Sequence, residues 1–398
     1  MYLRYKTVKI KPHLIPYGRQ EINERDIANV VTILKSDWLT QGPKVQEFED
    51  KLVNYLNVDY VVAVNSATSA LHVACKALGL TTGDWLWTSP ISFVASANCG
   101  LYCDAKVDFV DIDPQTWNIN IAELERKLVL SQVQNRLPKI LVVVHFAGVS
   151  CDMRAITRLS KKYKFRVIED ASHALGGRYL DHPVGCCAYS DITVFSFHPV
   201  KIITTGEGGV ATTNDQELAR YMRLIRSHGV TRQEEEFVGE SDGSWYYEQV
   251  GLGYNYRMND IEAALGIGQL DRLDRYVVRR NEIATIYDES FKGLPIQKQV
   301  YAESTLLGRH LYIVRLKKDR LINSKREIIK SLSQSGITAT VHYRPIHLQP
   351  LYQRFGFARG DFPEAEQYYK EAITLPLFPQ LTDQEIKKIT TEFYKILQ

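Results

Sequence analysis

At 398 residues the chain is long enough to bury a large core, and its length predicts two lobes. Hydrophobic residues make up 45% and charged residues 24%, and a formal net charge of +3 gives no reason to expect nucleic acid or an anionic membrane as partner. The basic start (Arg4, Lys6, Lys9, Lys11) lacks the apolar core of a signal peptide, and no apolar run is long enough to span a bilayer, so a cytoplasmic enzyme or binding protein is expected.

In chain order, the first buried parallel strand is read at DYVVAV, residues 59–64, whose apolar run does not alternate, followed by the helical pattern ATSALHVACKAL. Between them Asn65, Ser66 and Ala67 form a turn, with the helix beginning near Thr68. Free N–H groups at a helix start suit a phosphate, and a plain N-cap is the equal alternative. DWLWTSP then reads as a strand with Phe93 just beyond it. An aromatic there is either core or a surface for a flat heteroaromatic ring.

KILVVVHF at 139–146 and FRVIED at 165–170 are apolar without alternation, as parallel strands covered on both faces are. Between them DMRAITRLSKKY starts a helix at a good N-cap, Asp152. This rhythm predicts a three-layer α/β domain, whose ligands belong at the carboxyl ends of the strands. Glu169 and Asp170 fall at such an end. A buried carboxylate needs a partner, and a protonated pyridine nitrogen is one. His173 reads as a cap for the following turn.

FSFHPVKIITTGEGG, residues 195–209, sets Lys201 among polar and turn-forming residues, including Ser196 and His198. A lysine held partly desolvated loses proton affinity and becomes an amine nucleophile and base. TRQEEEFVGESDG, at 231–243, reads as an exposed, mobile loop with a solvated glutamate run. From residue 271 the character changes: a long charged helix, the strand RHLYIVRL, the helix SKREIIKSLSQS and the strand GITATVHY. Alternation in the last puts Ile337, Ala339 and Val341 on one face, and Thr338, Thr340 and His342 on the other, so His342 is expected to leave the apolar face. Residues 1–270 are therefore expected to form a large α/β domain, and 271–398 a smaller α+β domain.

Cys75, Cys99, Cys103, Cys151, Cys186 and Cys187 show no zinc-type spacing and are expected as reduced packing residues, with no metal site. The remaining signals converge. A phosphate seat, a stacking ring, an acid for a ring nitrogen and an amine for an imine together match pyridoxal 5'-phosphate (PLP).

The segments IPYGRQEI, SDWLTQGPKVQEFE, NSATSALH, TSPISFVASAN, IEDASHALG, FSFHPVKIITTGEGG, LGYNYRMNDIEAALG and VHYRPIHLQPLY run nearly end to end. In them the chain resembles the sugar aminotransferases of the DegT/DnrJ/EryC1/StrS group, whose fold is that of aspartate aminotransferase, the PLP-dependent transferase fold of type I. The resemblance implies that Lys201 forms the cofactor imine, Asp170 holds the pyridinium, Phe93 stacks on the ring and His173 lies near it. Ala67 and Thr68 through their backbone, and Ser196 through its hydroxyl, would hold the phosphate. Asn255 would reach that phosphate from the other subunit of a homodimer with shared sites. Sugar-nucleotide contacts would fall at Tyr17, at Asp37, Trp38, Leu39 and Thr40, and at Val341, His342, Tyr343 and Arg344.

The activity implied is amino transfer from L-glutamate to C4 of a UDP-4-keto-6-deoxy-N-acetylhexosamine, with a different nucleotide 4-keto sugar as the alternative acceptor. Segments 231–243 and 299–308 carry the least family signal. A PLP-dependent sugar dehydratase ranks low, because those relatives replace the imine lysine by histidine. A non-catalytic PLP-binding regulator is disfavoured by the lack of an extra N-terminal segment for a DNA-binding domain. A nicotinamide enzyme is weaker still, since GEGG does not open a βαβ unit.

Overall fold

The computed structural model describes residues 14–301 and 306–398. Arg4, Lys6, Lys9 and Lys11 lie outside the described residues, as does part of segment 299–308. The central sheet is built from β1 (Tyr60–Val64), β2 (Trp85–Thr88), β3 (Lys106–Phe109), β4 (Ile140–Val144) and β5 (Arg166–Asp170). After a short hairpin of β6 (Arg178–Tyr179) and β7 (His182–Pro183), β8 (Ile192–Ser196) and β9 (Gly209–Thr213) complete it. Its strand order is β1-β9-β8-β5-β4-β2-β3.

The pairings from β8 to β3 are parallel, as the unbroken apolar runs imply. β1 departs from the parallel reading of DYVVAV: it pairs with β9 alone, antiparallel, and β9 is antiparallel to β8 as well. The chain between β8 and β9 doubles back directly, without a crossover helix, which parallel pairing would require. In register, Gly209 faces both Val64 and Ser196. The carboxyl ends of β1 and β8 therefore meet the start of β9 at one edge of the sheet.

Strand period 2 sorts the core into layers. Val62, Val64, Ile140 and Val142 pack with α3 (Ala67–Ala77) and α4 (Ala95–Leu101), while Val61 and Ala63 turn to the opposite face. There they meet a helix at Pro43–Leu56 and another at Asp260–Leu270, and Leu141 and Val143 meet helices at Ile121–Val133 and Met153–Tyr163. Asp152 caps the Met153 helix, its side chain accepting from the Ala155 N–H at 3.1 Å.

A second, three-stranded antiparallel sheet holds Ile296–Lys298, Tyr312–Leu316 and Ala372–Leu375, covered by helices at Lys325–Gln334 and Asp383–Leu397. The 18-residue helix Leu273–Ser290 joins two cores. Leu273, Tyr276 and Val277 pack in the large-sheet core, whereas Ile283, Ala284, Tyr287 and Ile15 pack in the smaller one.

GITATVHY is not a strand. Ile337 and Thr340 make only isolated bridges, to Ile15 and to Thr374 on the strand Ala372–Leu375, and no continuous ladder follows from either. Ile337 is fully buried, and His342 is buried too, contrary to the alternation reading. Segment 231–243 is mostly exposed, but Glu236 departs from a solvated run by pairing with Arg220 at 3.1 Å. All six cysteines are free. Among the described residues no helix is long and apolar enough to cross a membrane, and no cluster of His, Cys, Asp or Glu suits a metal ion.

Candidate active site

The carboxyl edge of the sheet opens on a cavity of about 410 Å³. Tyr17, Ala67, Thr68, Phe93, Asp170, His173, Ser196, Lys201, His342 and Tyr343 line it, drawn from segments far apart in the chain.

One end of the cavity is rich in donors. Ser66 caps α3, accepting from the Ser69 N–H at 3.1 Å, while the N–H groups of Ala67 and Thr68 in the first turn have no hydrogen-bond partner among the described residues. The N-cap reading of NSATSAL is thus met by Ser66, and those two free N–H groups remain beside it. Gly209 lies against this turn: a Cβ there would stand 2.5 Å from the Ala67 nitrogen, so only glycine permits the approach.

Asp170, the last residue of β5, is 6% exposed and has no ion-pair partner among the described residues. Its Oδ2 accepts from the Ser96 hydroxyl at 2.6 Å, Ser96 lies 2.6 Å from Ser92, and Oδ1 accepts from the Ser172 N–H at 3.2 Å. Glu169 points the other way and is satisfied there by His145 at 2.6 Å, Ser190 at 2.5 Å and Thr193 at 3.1 Å. Two adjacent carboxylates therefore meet opposite fates. One is sealed in a network behind the sheet, and the other borders the cavity.

Lys201 sits in a tight loop. Its N–H donates to the His198 carbonyl at 2.8 Å, the Thr204 hydroxyl donates to the Phe197 carbonyl at 2.9 Å, and Gly206 takes a φ of 88° that favours glycine. Burial lowers the Lys201 pKa to about 8, against an opposing pull from Asp170. Burial, then the charges of Lys201 and His342, push His173 well below its usual value.

His173 does not cap its own turn. The Ala147 N–H donates to its Nδ1 at 3.3 Å, so the neutral ring carries its proton on Nε2, which faces the Tyr343 hydroxyl at 3.3 Å. His342 contacts the Thr374 hydroxyl at 2.9 Å, and burial together with Lys201 lowers its pKa to about 4. Phe93 is not core: its ring is 59% exposed and lies 6.4 Å from that of Tyr343.

Other expected contacts fall outside the cavity lining. Asp37, Trp38, Leu39 and Thr40 form an exposed stretch, tethered where the Asp260 N–H donates to the Leu39 carbonyl at 3.1 Å. Val341 is half-buried, and Arg344 is exposed and donates to the Leu348 carbonyl at 2.8 Å. Asn255 is exposed and bridged through its backbone to Ser227, away from the cavity of its own chain. Sequence reasoning missed Ser92, Ser96 and Ser172, the residues that orient Asp170. Two serines four apart around Phe93 in TSPISFVASAN were the available signal.

Fold, cavity and relatives agree on a class. PseC of Helicobacter pylori, an aminotransferase of pseudaminic acid biosynthesis, superimposes with a TM-score of 0.88 at 33% identity, covering 96% of this chain and 99% of that one. A putative sugar aminotransferase of Streptococcus pneumoniae in its PLP-form gives 0.86 at 32% identity, covering 97% and 100%. The spore coat polysaccharide biosynthesis protein SpsC of Bacillus subtilis is 38% identical over 96% of this chain and 97% of its own. The UDP-4-amino-4,6-dideoxy-N-acetyl-β-L-altrosamine transaminase of Campylobacter jejuni is 38% identical over 97% and 98%. The protein is a PLP-dependent sugar aminotransferase of the type I transferase fold. It belongs to the DegT/DnrJ/EryC1/StrS aminotransferase family, whose sequence model matches residues 20–394.

Proposed function

We propose that this enzyme moves the amino group of L-glutamate to C4 of a UDP-4-keto-6-deoxy-N-acetylhexosamine, giving UDP-4-amino-4,6-dideoxy-N-acetyl-β-L-altrosamine for pseudaminic acid synthesis. One observation carries the assignment of the site: a buried amine of lowered proton affinity and a buried carboxylate with no ion-pair partner among the described residues border the same cavity. That pair fits PLP. Asp170 matches a protonated ring nitrogen, the free N–H groups of Ala67 and Thr68 with the Ser196 hydroxyl match a phosphate, and Phe93 offers an uncovered ring face.

When bound, the cofactor supplies an electron sink for a broken C–H bond and carries the amine between two substrates. Asp170 keeps the proton on the ring nitrogen, and Ser96 and Ser172 hold its carboxylate in place. Lys201 would hold the cofactor and would move a proton between the donor Cα and the cofactor's C4'. With a pKa near 8 its amine exchanges protons readily around neutral pH. With the sugar as acceptor, the same lysine would move the protons in the reverse order.

Tyr17, His342 and Tyr343 border the acceptor. Asp37 to Thr40, Val341 and Arg344 extend the nucleotide contacts beyond the cavity, and Asn255 serves the phosphate of a second subunit in a homodimer. The acceptor assignment draws on the Campylobacter relative. The Bacillus spore-coat relative, equally identical, favours a second reading in which the acceptor is another nucleotide 4-keto sugar. Incubation with L-glutamate and each candidate UDP-4-keto sugar, with mass and NMR analysis of the product, decides between them. A 4-amino sugar of the altro series is expected, and amination of a different acceptor alone rejects the first reading.

A further inference from the structure

Of the buried arginines that the mechanism leaves unused, one is fully enclosed. Arg280, on the helix Leu273–Ser290, is 0% exposed. Among the described residues no carboxylate pairs with it. Its guanidinium donates instead to three main-chain carbonyls, those of Leu377 at 2.9 Å, His310 at 3.2 Å and Lys201 at 3.4 Å, and its Nε has no partner. Burial lowers the Arg280 pKa to about 10, against a smaller pull from Tyr276. Burying a charge without a counter-charge is costly, and a methionine would fill much of the same space. What a hydrocarbon cannot do is draw carbonyl oxygens from three segments to one point; the rigid fork of a guanidinium can.

Each of the three segments helps to build the cavity. One carries Lys201. The second carries His310, whose ring packs 4.5 Å from that of His173. The third carries Leu377, whose N–H donates to the Tyr17 carbonyl at 3.0 Å, three residues beyond the Thr374 hydroxyl that meets His342.

We propose that Arg280 is a positioning residue: by gathering the carbonyls of Lys201, His310 and Leu377, it aims the lysine amine at the wall formed by Tyr17, His173 and His342. The inference rests on the reading of Lys201 as the imine-forming lysine. It differs from a role in stability, because it predicts a change in the chemistry of Lys201 and not only in melting temperature.

The test compares wild type, Arg280→Met and Arg280→Lys, each stripped of cofactor and then mixed with PLP. Three quantities are read: the thermal melt, the PLP retained on dialysis, and the rate of imine formation at Lys201, followed by absorbance and borohydride trapping. A displacement of about 1 Å is enough to cost on the order of a hundredfold in rate. The methionine variant should melt cooperatively and retain PLP, yet form the imine ten- to a hundredfold more slowly. The lysine variant, with one donor cluster in place of the fork, should recover part of that loss. Imine formation within twofold of wild type in both variants, with only a lower melt, overturns the proposal. If the methionine variant does not fold, the lysine variant is judged by the same criterion. Failure of the wild type to form an imine at Lys201 would instead reject the underlying reading, and the positioning role with it.

Discussion

Replacing Asp170 by asparagine should preserve the fold and the bound cofactor while removing most of the catalysis. The amide is isosteric with the carboxylate, and the surroundings accept it. Its oxygen can take the Ser172 N–H that Oδ1 takes at 3.2 Å, and its NH₂ can donate to Ser96, which turns its own proton toward Ser92 at 2.6 Å. The second amide hydrogen then faces the ring nitrogen and favours its unprotonated form, where the carboxylate favours the protonated one.

At a separation of about 3 Å and an effective dielectric of about 20, the lost charge–charge attraction is roughly 5 kcal/mol. A neutral hydrogen bond restores about 1 kcal/mol. A net loss of about 4 kcal/mol corresponds to a reduction in rate of roughly a thousandfold. Single-turnover absorbance with L-glutamate isolates this step from sugar binding. A near-normal rate in a variant that retains PLP refutes the role given to Asp170.

Three further outcomes follow. Phe93→Ala should leave the melting temperature nearly unchanged, since the ring is 59% exposed, and should weaken PLP binding about three- to tenfold, as measured by equilibrium dialysis. An unchanged affinity would remove Phe93 from the site. In the cofactor-free protein the Lys201 amine is neutral, and so nucleophilic, above its lowered pKa of about 8. Its reaction with added PLP should therefore accelerate as pH rises through 8 and level off above, whereas a midpoint near 10 contradicts the burial argument. Mixing Lys201→Ala with Asn255→Ala subunits should regenerate one intact site per mixed homodimer and recover activity. Verified mixed dimers that stay inactive would show that Asn255 does not act across the interface.

The elements that line the candidate site were more legible in the sequence than those around the three-stranded sheet. Lys201, Asp170 and the NSATSAL turn are local patterns at strand ends, and strand ends of one sheet converge. The reversal of β9 was not legible, because this buried strand is the short, mixed sequence GVATT, which encodes no direction of pairing. GITATVHY failed for a related reason. Its alternation describes a half-buried strand, but pairing depends on a neighbour contributed by distant chain, and here only Ile15 and Thr374 provide single bridges. The burial of His342 follows from its contact with Thr374, thirty-two residues away, which no local pattern encodes. Arg280 was hidden in a charged helix, where an arginine facing inward looks the same in sequence as one facing water.

The covalent bond at Lys201 is the most direct test of the central claim. Reducing the PLP-loaded enzyme with borohydride, digesting it and mapping the pyridoxyl group by mass spectrometry identifies the lysine without any assumption about the sugar. The account predicts one modified peptide, containing Lys201 within FSFHPVKIITTGEGG. A pyridoxyl group found on another lysine, with Lys201 unmodified, would contradict it.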